Sequence, residues 1–160
     1  MTDRPEYTEI EHTADVGFTL RAPDLRAAFE RTAAAAFDVM CDLDRVAPDA
    51  SFDVRVEARP GDLEQLMVRW LSELLYLSSS EQVLLCGFDV VELGSDGSHA
   101  GVARSPDQSG ASLVLVARVR GERFDDGRHH LKTELKAPTY HELVVERDGE
   151  TWSVRIIFDT

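Results

Sequence analysis

The segment at residues 62–76 constrains the fold more than any other, because its apolar residues recur at the spacing of a helix with one buried face. Those residues are Leu63, Leu66, Met67, Trp70, Leu71, Leu74 and Leu75. Asp62 precedes them and is expected to cap the helix by accepting a backbone N–H, with Gln65 in a variant of the capping box. This stripe predicts a helix packed against an apolar surface rather than a cofactor site.

A second helix and several strands complete the expected fold. Apolar residues recur at helical spacing from Asp24, the expected N-cap, to Met40. Residues 83–93 form an apolar run in which Gly87 predicts a bulge, and residues 111–119 read as a central strand. The order of elements predicts an α+β fold, with two helices packed on a mainly antiparallel β-sheet, and a single domain spanning residues 1–160.

The charge of the chain excludes several classes of partner. Its 160 residues include 30 Asp or Glu and 17 Lys or Arg, a formal net charge of −13. Such a chain is not expected to bind bare nucleic acid or an anionic membrane surface through its overall field. The N-terminal residues contain no apolar signal-peptide core, and no run approaches the roughly 18 apolar residues of a membrane span. Cys41 and Cys86 are isolated and read as buried thiols. A cytoplasmic location is therefore expected.

The last hairpin makes a prediction of register. Asp148-Gly149 is the strongest two-residue hairpin signal in the chain. If these two residues form the loop, Pro138 faces Asp159, and Lys136 lies with Asp159 at the same end of the same sheet face. His141 then falls on the apolar face together with Leu143, Trp152, Val154, Ile156 and Phe158.

Three short segments carry residues suited to a cation or phosphate site. In the first, His12 and Asp15 lie three residues apart and can converge on a metal. The sequence is equally compatible with a structural role, in which His12 hydrogen-bonds the backbone and Asp15 caps a turn. In the second, Lys136 is one of only two lysines among the 17 basic residues, which favours a specific role over a solvated strand face. In the third, Asp159 and the carboxylate of Thr160 offer adjacent oxygen donors, unless the terminus frays.

Other sequence features contribute less. His129-His130, after Asp125-Asp126-Gly127, could form a surface metal patch, an interpretation that the sequence favours only weakly. The chain has no glycine-rich phosphate loop, no nucleophile-elbow motif and no HExxH zinc motif. The residues alone indicate an acidic α+β domain with a candidate cation site.

Taken together, the motifs resemble the archease family, in order along the whole chain. The resemblance rests on residues 7–17 (YTEIEHTADVG), the alanine- and phenylalanine-containing segment 28–40, residues 62–76 (DLEQLMVRWLSELLY), residues 136–143 (KAPTYHEL) and residues 156–159 (IIFD). It implies a protein cofactor rather than an enzyme. The partner implied is an RtcB-type RNA ligase, which joins RNA ends in tRNA splicing and RNA repair after attaching GMP to its own histidine.

The resemblance also implies a functional site. Archeases accelerate guanylylation of the ligase and support its multiple turnover, and RNA is reached only indirectly, through the ligase. The family's essential positions correspond to Asp15, Lys136 and Asp159 of this chain. A divalent metal cation (Ca²⁺, Mg²⁺ or Mn²⁺) is expected at Asp15 and Asp159, with His12 and Thr160 as further candidate ligands.

Two other functions remain open from the sequence. One is an acidic chaperone or adaptor for RNA-processing enzymes, in which the cation is purely structural. The other is a small metal-dependent hydrolase, for which the sequence offers no evident general base or nucleophile.

Overall fold

The computed structural model of the protein describes residues 5–11, 15–95 and 111–160. Within these ranges there are two α-helices and seven strands, with a single turn of 3₁₀ helix at Leu43–Arg45. In chain order the elements are β1 (Thr8–Glu11), β2 (Val16–Ala22), α1 (Leu25–Met40), β3 (Ala50–Ala58), α2 (Leu63–Glu81), β4 (Val83–Ser95), β5 (Leu113–Arg123), β6 (Ala137–Asp148) and β7 (Thr151–Asp159).

The described strands form two antiparallel sheets. The first has the order β1-β2-β7-β6, and the second has the order β3-β5-β4. The register of β4 shifts between Leu85 and Gly87, where the glycine predicted a bulge. The α+β prediction with two helices on antiparallel sheet is confirmed. The division of the strands between two sheets was not anticipated, because local patterns do not state which strands pair.

Both helices contact both sheets and supply much of the apolar core. Helix α1 packs on β4 and β2, and α2 packs on β6 and β3. The indole Nε1–H of Trp70 on α2 donates to the carbonyl oxygen of Phe29 on α1 at 3.0 Å, which joins the helices inside the core. Every apolar residue predicted for α2 is buried or packs against the core. The periodicity in the sequence thus identified the correct face.

The predicted helix caps are confirmed, with one difference. Asp24 accepts from the N–H of Ala27 at 2.7 Å, and Asp62 accepts from that of Gln65 at 2.9 Å. The Gln65 side chain, however, accepts from the N–H of Arg59 at 2.7 Å instead of closing a reciprocal capping box. Gln65 therefore ties the start of α2 to the end of β3.

The predicted register of the last hairpin is wrong. Asp148 pairs with Thr151, so the loop is Gly149-Glu150. Its first position has φ +64°, and glycine adopts that conformation at little cost. This error of two residues leaves side chains on the same faces. Further along, the register shifts again between Thr139 and Val144, where residues 140–143 of β6 lie opposite Ile156 alone. β6 thus has three more residues here than β7. Because three is an odd number, the residues of β6 before the shift point to the opposite face from the predicted one.

The change of face corrects two expectations about individual residues. Pro138 pairs with Phe158 and is buried, and Asp159 pairs with Ala137. His141, expected on the apolar face, has 62% of its side chain exposed.

In the described part of the chain, neither helix has the length and apolar character needed to cross a lipid bilayer.

Candidate functional site

The candidate cation site lies where β2 begins and β7 ends. Val16, the first residue of β2, pairs with Phe158 in β7. Continuing this antiparallel register by one residue brings Asp15 opposite Asp159, on the same face of the sheet. Asp15 is half-buried and Asp159 is exposed. Two residues 144 positions apart in the sequence are thereby brought together by one strand pairing.

Lys136 reaches the same end of the sheet from the other side of β7. Its backbone N–H donates to the carbonyl oxygen of Asp159 at 2.9 Å. The prediction that these two residues lie at one end of the sheet is therefore confirmed. The prediction that they share a face is wrong, because Ala137 is the residue paired with Asp159. The Lys136 side chain is exposed and makes no ion pair with any residue of the described ranges.

A tightly packed pair of residues lies next to the two aspartates. Gly17 pairs with Ile157, the next pair along the same sheet face. Ile157 is completely buried, and a Cβ built on Gly17 would lie 2.9 Å from its Cγ1. Such a contact is too short for a methyl group, so only glycine lets Ile157 lie across β2 here. A side chain at position 17 would therefore disturb the strand pairing directly beside the two aspartates.

The donor set at this end of the sheet suits a hard divalent cation. Asp15 and Asp159 offer carboxylate oxygen, the ligand type that Ca²⁺ and Mg²⁺ prefer, and Thr160 follows Asp159 at an exposed position. Within the described ranges, no three His, Cys, Asp or Glu side chains form a metal-binding group. His12 lies outside those ranges. The two aspartates thus provide a partial coordination set, which water would extend.

The sequence interpretation missed the most unusual backbone near the site, the β6 bulge, defined as residues 140–143. Glu142 in this bulge has φ +54°, a left-handed conformation that costs a non-glycine residue energy. Tyr140 is 56% exposed, while Leu143 at the other end is buried in the core. No sequence signal marked this bulge, because no glycine occupies it and its residues read as ordinary strand.

A cleft of about 700 Å³ opens on the same sheet face, between β2, β7, Val144 and residues 5–8. Arg21 and Arg155 line it, but each is already paired with a carboxylate at 3.0 Å, Asp148 and Glu142 respectively. These pairs offset most of the positive charge in the cleft. It is therefore poorly suited to holding an anion.

A buried polar cluster lies away from the candidate site, in the connection after β5. His129 Nε2 is 2.7 Å from Glu122 Oε1, and the same oxygen accepts from Arg128 and from the backbone N–H of Ala47. His129 Nδ1 accepts the N–H of Asp125 at 3.0 Å. The interpretation of His129 as part of a surface metal patch is wrong, because both ring nitrogens are engaged inside the protein.

Comparison with known proteins gives a consistent result over nearly the full length. The model of the Archease protein family (MTH1598/TM1083) matches residues 7–160. Protein archease of Methanopyrus kandleri is 35% identical over 153 residues, covering 96% of this chain and 98% of the relative. That of Sulfurisphaera tokodaii is 34% identical over 154 residues, with the same coverage of 96% and 98%.

A solved structure resembles the fold as well. The solution structure of protein 1598 from Methanobacterium thermoautotrophicum matches with a TM-score of 0.73 at 26% sequence identity, over 96% of this chain and 98% of that protein. The names of these relatives state no reaction.

Proposed function

This chain belongs to the archease family, and from that premise we propose that it is a protein cofactor of an RtcB-type RNA ligase. In this role it promotes the GTP-dependent guanylylation of the ligase and supports multiple turnover, without catalysing a reaction of its own. It acts in the cytoplasm, in tRNA splicing or RNA repair, and reaches RNA only through the ligase.

The observation that carries the proposal is the convergence of Asp15, Lys136 and Asp159 at one end of the first sheet. The β2–β7 register places the two aspartates opposite each other, and a hydrogen bond of 2.9 Å joins the backbone of Lys136 to that of Asp159. These three residues come from three separate strand ends. Packing of the core alone does not require three charged residues at that point.

The chemistry of the three side chains suits a phosphate-transfer site. Asp15 and Asp159 would hold a divalent cation, which when bound offsets negative charge on phosphate oxygens. The Lys136 ammonium is exposed and has no competing carboxylate partner among the described residues, so it can contact a phosphate or balance the aspartates. Burial of Ile157 beneath this end of the sheet limits movement of the strand that carries Asp159.

The acidic surface is consistent with a protein partner. A net charge of −13 repels RNA but attracts the basic surface of an enzyme that binds RNA. Complementary charge mainly accelerates association and sets orientation. We therefore expect binding between this protein and the ligase to weaken as the salt concentration rises.

The test is guanylylation of the cognate ligase at limiting divalent metal, with and without this protein. We expect the wild type to stimulate, and Asp15→Asn and Asp159→Asn to lose at least about tenfold of the stimulation. The matched control is Asp126→Asn, an exposed aspartate in the turn after β5. Circular dichroism checks that each variant is folded.

Three outcomes would contradict the proposal. Full stimulation by both aspartate variants would exclude the cation site as the functional site. Chelator-induced unfolding, combined with stimulation by folded metal-free variants, would support the chaperone or adaptor with a structural cation. Turnover of a phosphoester by this protein alone would support a hydrolase.

A further inference from the structure

We propose that the β6 bulge is the contact through which this protein docks on a basic protein surface, with Tyr140 as the anchoring side chain. This inference rests on the proposed function, because it takes the RNA ligase as the partner that carries the surface. The bulge is proposed to bind the ligase, whereas the two aspartates and Lys136 are proposed to activate the ligase once it is bound.

The bulge exposes an aromatic side chain at a cost in backbone energy. Glu142 takes φ +54°, and residues in such conformations usually persist where the surrounding structure or a function requires them. Tyr140 is 56% exposed, although its neighbour Thr139 is half-buried and pairs within the ladder. Tyrosine is enriched at the centre of protein interfaces, because it buries a large area with few rotatable bonds.

Two contacts hold the bulge in place. Glu142 accepts from Arg155 of β7 at 3.0 Å, and Leu143 is buried in the core beneath it. Arg155 is itself half-buried and belongs to the central strand pairing. The bulge is thus anchored at its C-terminal half, while Tyr140 at its start stays exposed. Such preorganisation reduces the entropy lost when a partner binds.

The bulge lies close to the candidate site. Ala137 pairs with Asp159, and Tyr140 follows three residues later on the same strand. At about 3.3 Å per residue, the two positions are roughly 10 Å apart along β6. A partner surface centred on Tyr140 would therefore extend to Asp159 and to Asp15 opposite it.

The local charge favours a basic protein surface over a nucleotide. The carboxylates of Asp15 and Asp159 outnumber the single Lys136 ammonium at this end of the sheet, Glu142 is paired with Arg155, and the whole chain carries a net charge of −13. A nucleotide stacking its base on Tyr140 would bring phosphates toward these groups. A lysine or arginine of a partner can instead lie over the phenol ring and be attracted by the carboxylates.

Another explanation of the bulge is protection of a sheet edge. Among the described strands β6 lies at an edge of the first sheet, and bulges commonly prevent edge strands from pairing with other chains. That role needs the irregular backbone but does not need an exposed tyrosine. The two explanations therefore differ in what they predict for Tyr140→Ala.

The experiment measures the affinity of this protein for its cognate ligase by titration calorimetry, with chelator present so that metal plays no part. We expect Tyr140→Ala to raise the Kd at least about tenfold and Tyr140→Phe to keep near wild-type affinity. The matched control is Tyr76→Ala, which removes a tyrosine that is 68% exposed on α2, beside β3 of the other sheet. It should leave the Kd unchanged.

The outcomes separate this inference from the proposed function. If wild type binds and stimulates the ligase but Tyr140→Ala binds equally well, the docking contact is wrong and the proposed function stands. If Tyr140→Ala keeps its affinity for the ligase but needs more GTP for stimulation, the residue contacts a nucleotide and the inference is overturned. If the wild type neither binds nor stimulates, the proposed function fails and this inference fails with it.

Discussion

The backbone N–H of Lys136 donates a hydrogen bond of 2.9 Å to the carbonyl oxygen of Asp159. This bond holds together the start of β6 and the end of β7, and it does not involve either charged side chain. The backbone support of Asp159 and the side-chain charge of Lys136 can therefore be changed independently. A substitution can remove the ammonium of Lys136 while its backbone still supports Asp159.

This separation predicts the effect of Lys136→Met. The variant should fold normally and retain its affinity for a divalent cation, while stimulation of ligase guanylylation falls at least about tenfold. The matched control is Lys132→Met, because Lys132 is the other lysine of the chain and its N–H also donates a backbone hydrogen bond, to Met40 at 2.8 Å. Equal stimulation by the two variants would mean that the Lys136 ammonium has no role.

The contact between Gly17 and Ile157 predicts that Gly17→Ala is destabilising. The new Cβ would lie 2.9 Å from Ile157 Cγ1 and 3.0 Å from the carbonyl oxygen of Ile156. Forcing such a methyl group into a packed sheet costs about 1–3 kcal/mol, which urea unfolding would measure. Gly87→Ala is the control, because its Cβ would meet only Arg120, at an ordinary 3.5 Å. Equal stability of the two variants would contradict the close packing.

The buried Glu122 predicts a pH dependence of stability. Burial opposes ionisation, but hydrogen bonds from the Ala47 N–H and His129 outweigh it, so the pKa of Glu122 is lowered from the ordinary 4.5. Since the folded-state pKa is below the unfolded one, this group stabilises the fold above about pH 4.5 and loses its contribution as the pH falls through the folded-state pKa.

The measurement is urea unfolding of Glu122→Gln at a series of pH values. At pH 7 the variant should be less stable than wild type by about 1–3 kcal/mol, and the difference should shrink below about pH 4.5. Glu146→Gln, at an exposed position of β6, is the control and should unfold like wild type throughout. A difference for Glu122→Gln that stays constant down to pH 3 would show that its ionisation does not contribute.

The two cysteines should resist modification in the folded protein. Both are buried, and burial raises the pKa of the Cys41 thiol to about 12 and also raises that of Cys86. Because the thiolate is the reactive form, we expect negligible reaction with Ellman's reagent at pH 8 in buffer, and two reactive thiols per chain in urea. Rapid reaction of either cysteine without denaturant would contradict the burial of these residues.

Much of the fold could be predicted from local patterns. The helix caps Asp24 and Asp62 and the bulge at Gly87 depend on neighbouring residues, so the sequence was sufficient to locate them. The hairpin register depended on the choice between Asp148-Gly149 and Gly149-Glu150 as the loop. Both contain the glycine, so composition could not decide, and only strand pairing selected the second.

The site divides in the same way. The sequence by itself identified Asp15, Lys136 and Asp159 as candidates, from the oxygen chemistry of the aspartates and the rarity of lysine. Only the tertiary structure decided that Asp15 and Asp159 lie opposite each other. The reason is that β2 and β7 lie near opposite ends of the sequence and become neighbours only when the chain folds. The tertiary structure alone also revealed the β6 bulge, since three extra residues in one strand can be recognised only against the partner strand that lacks them.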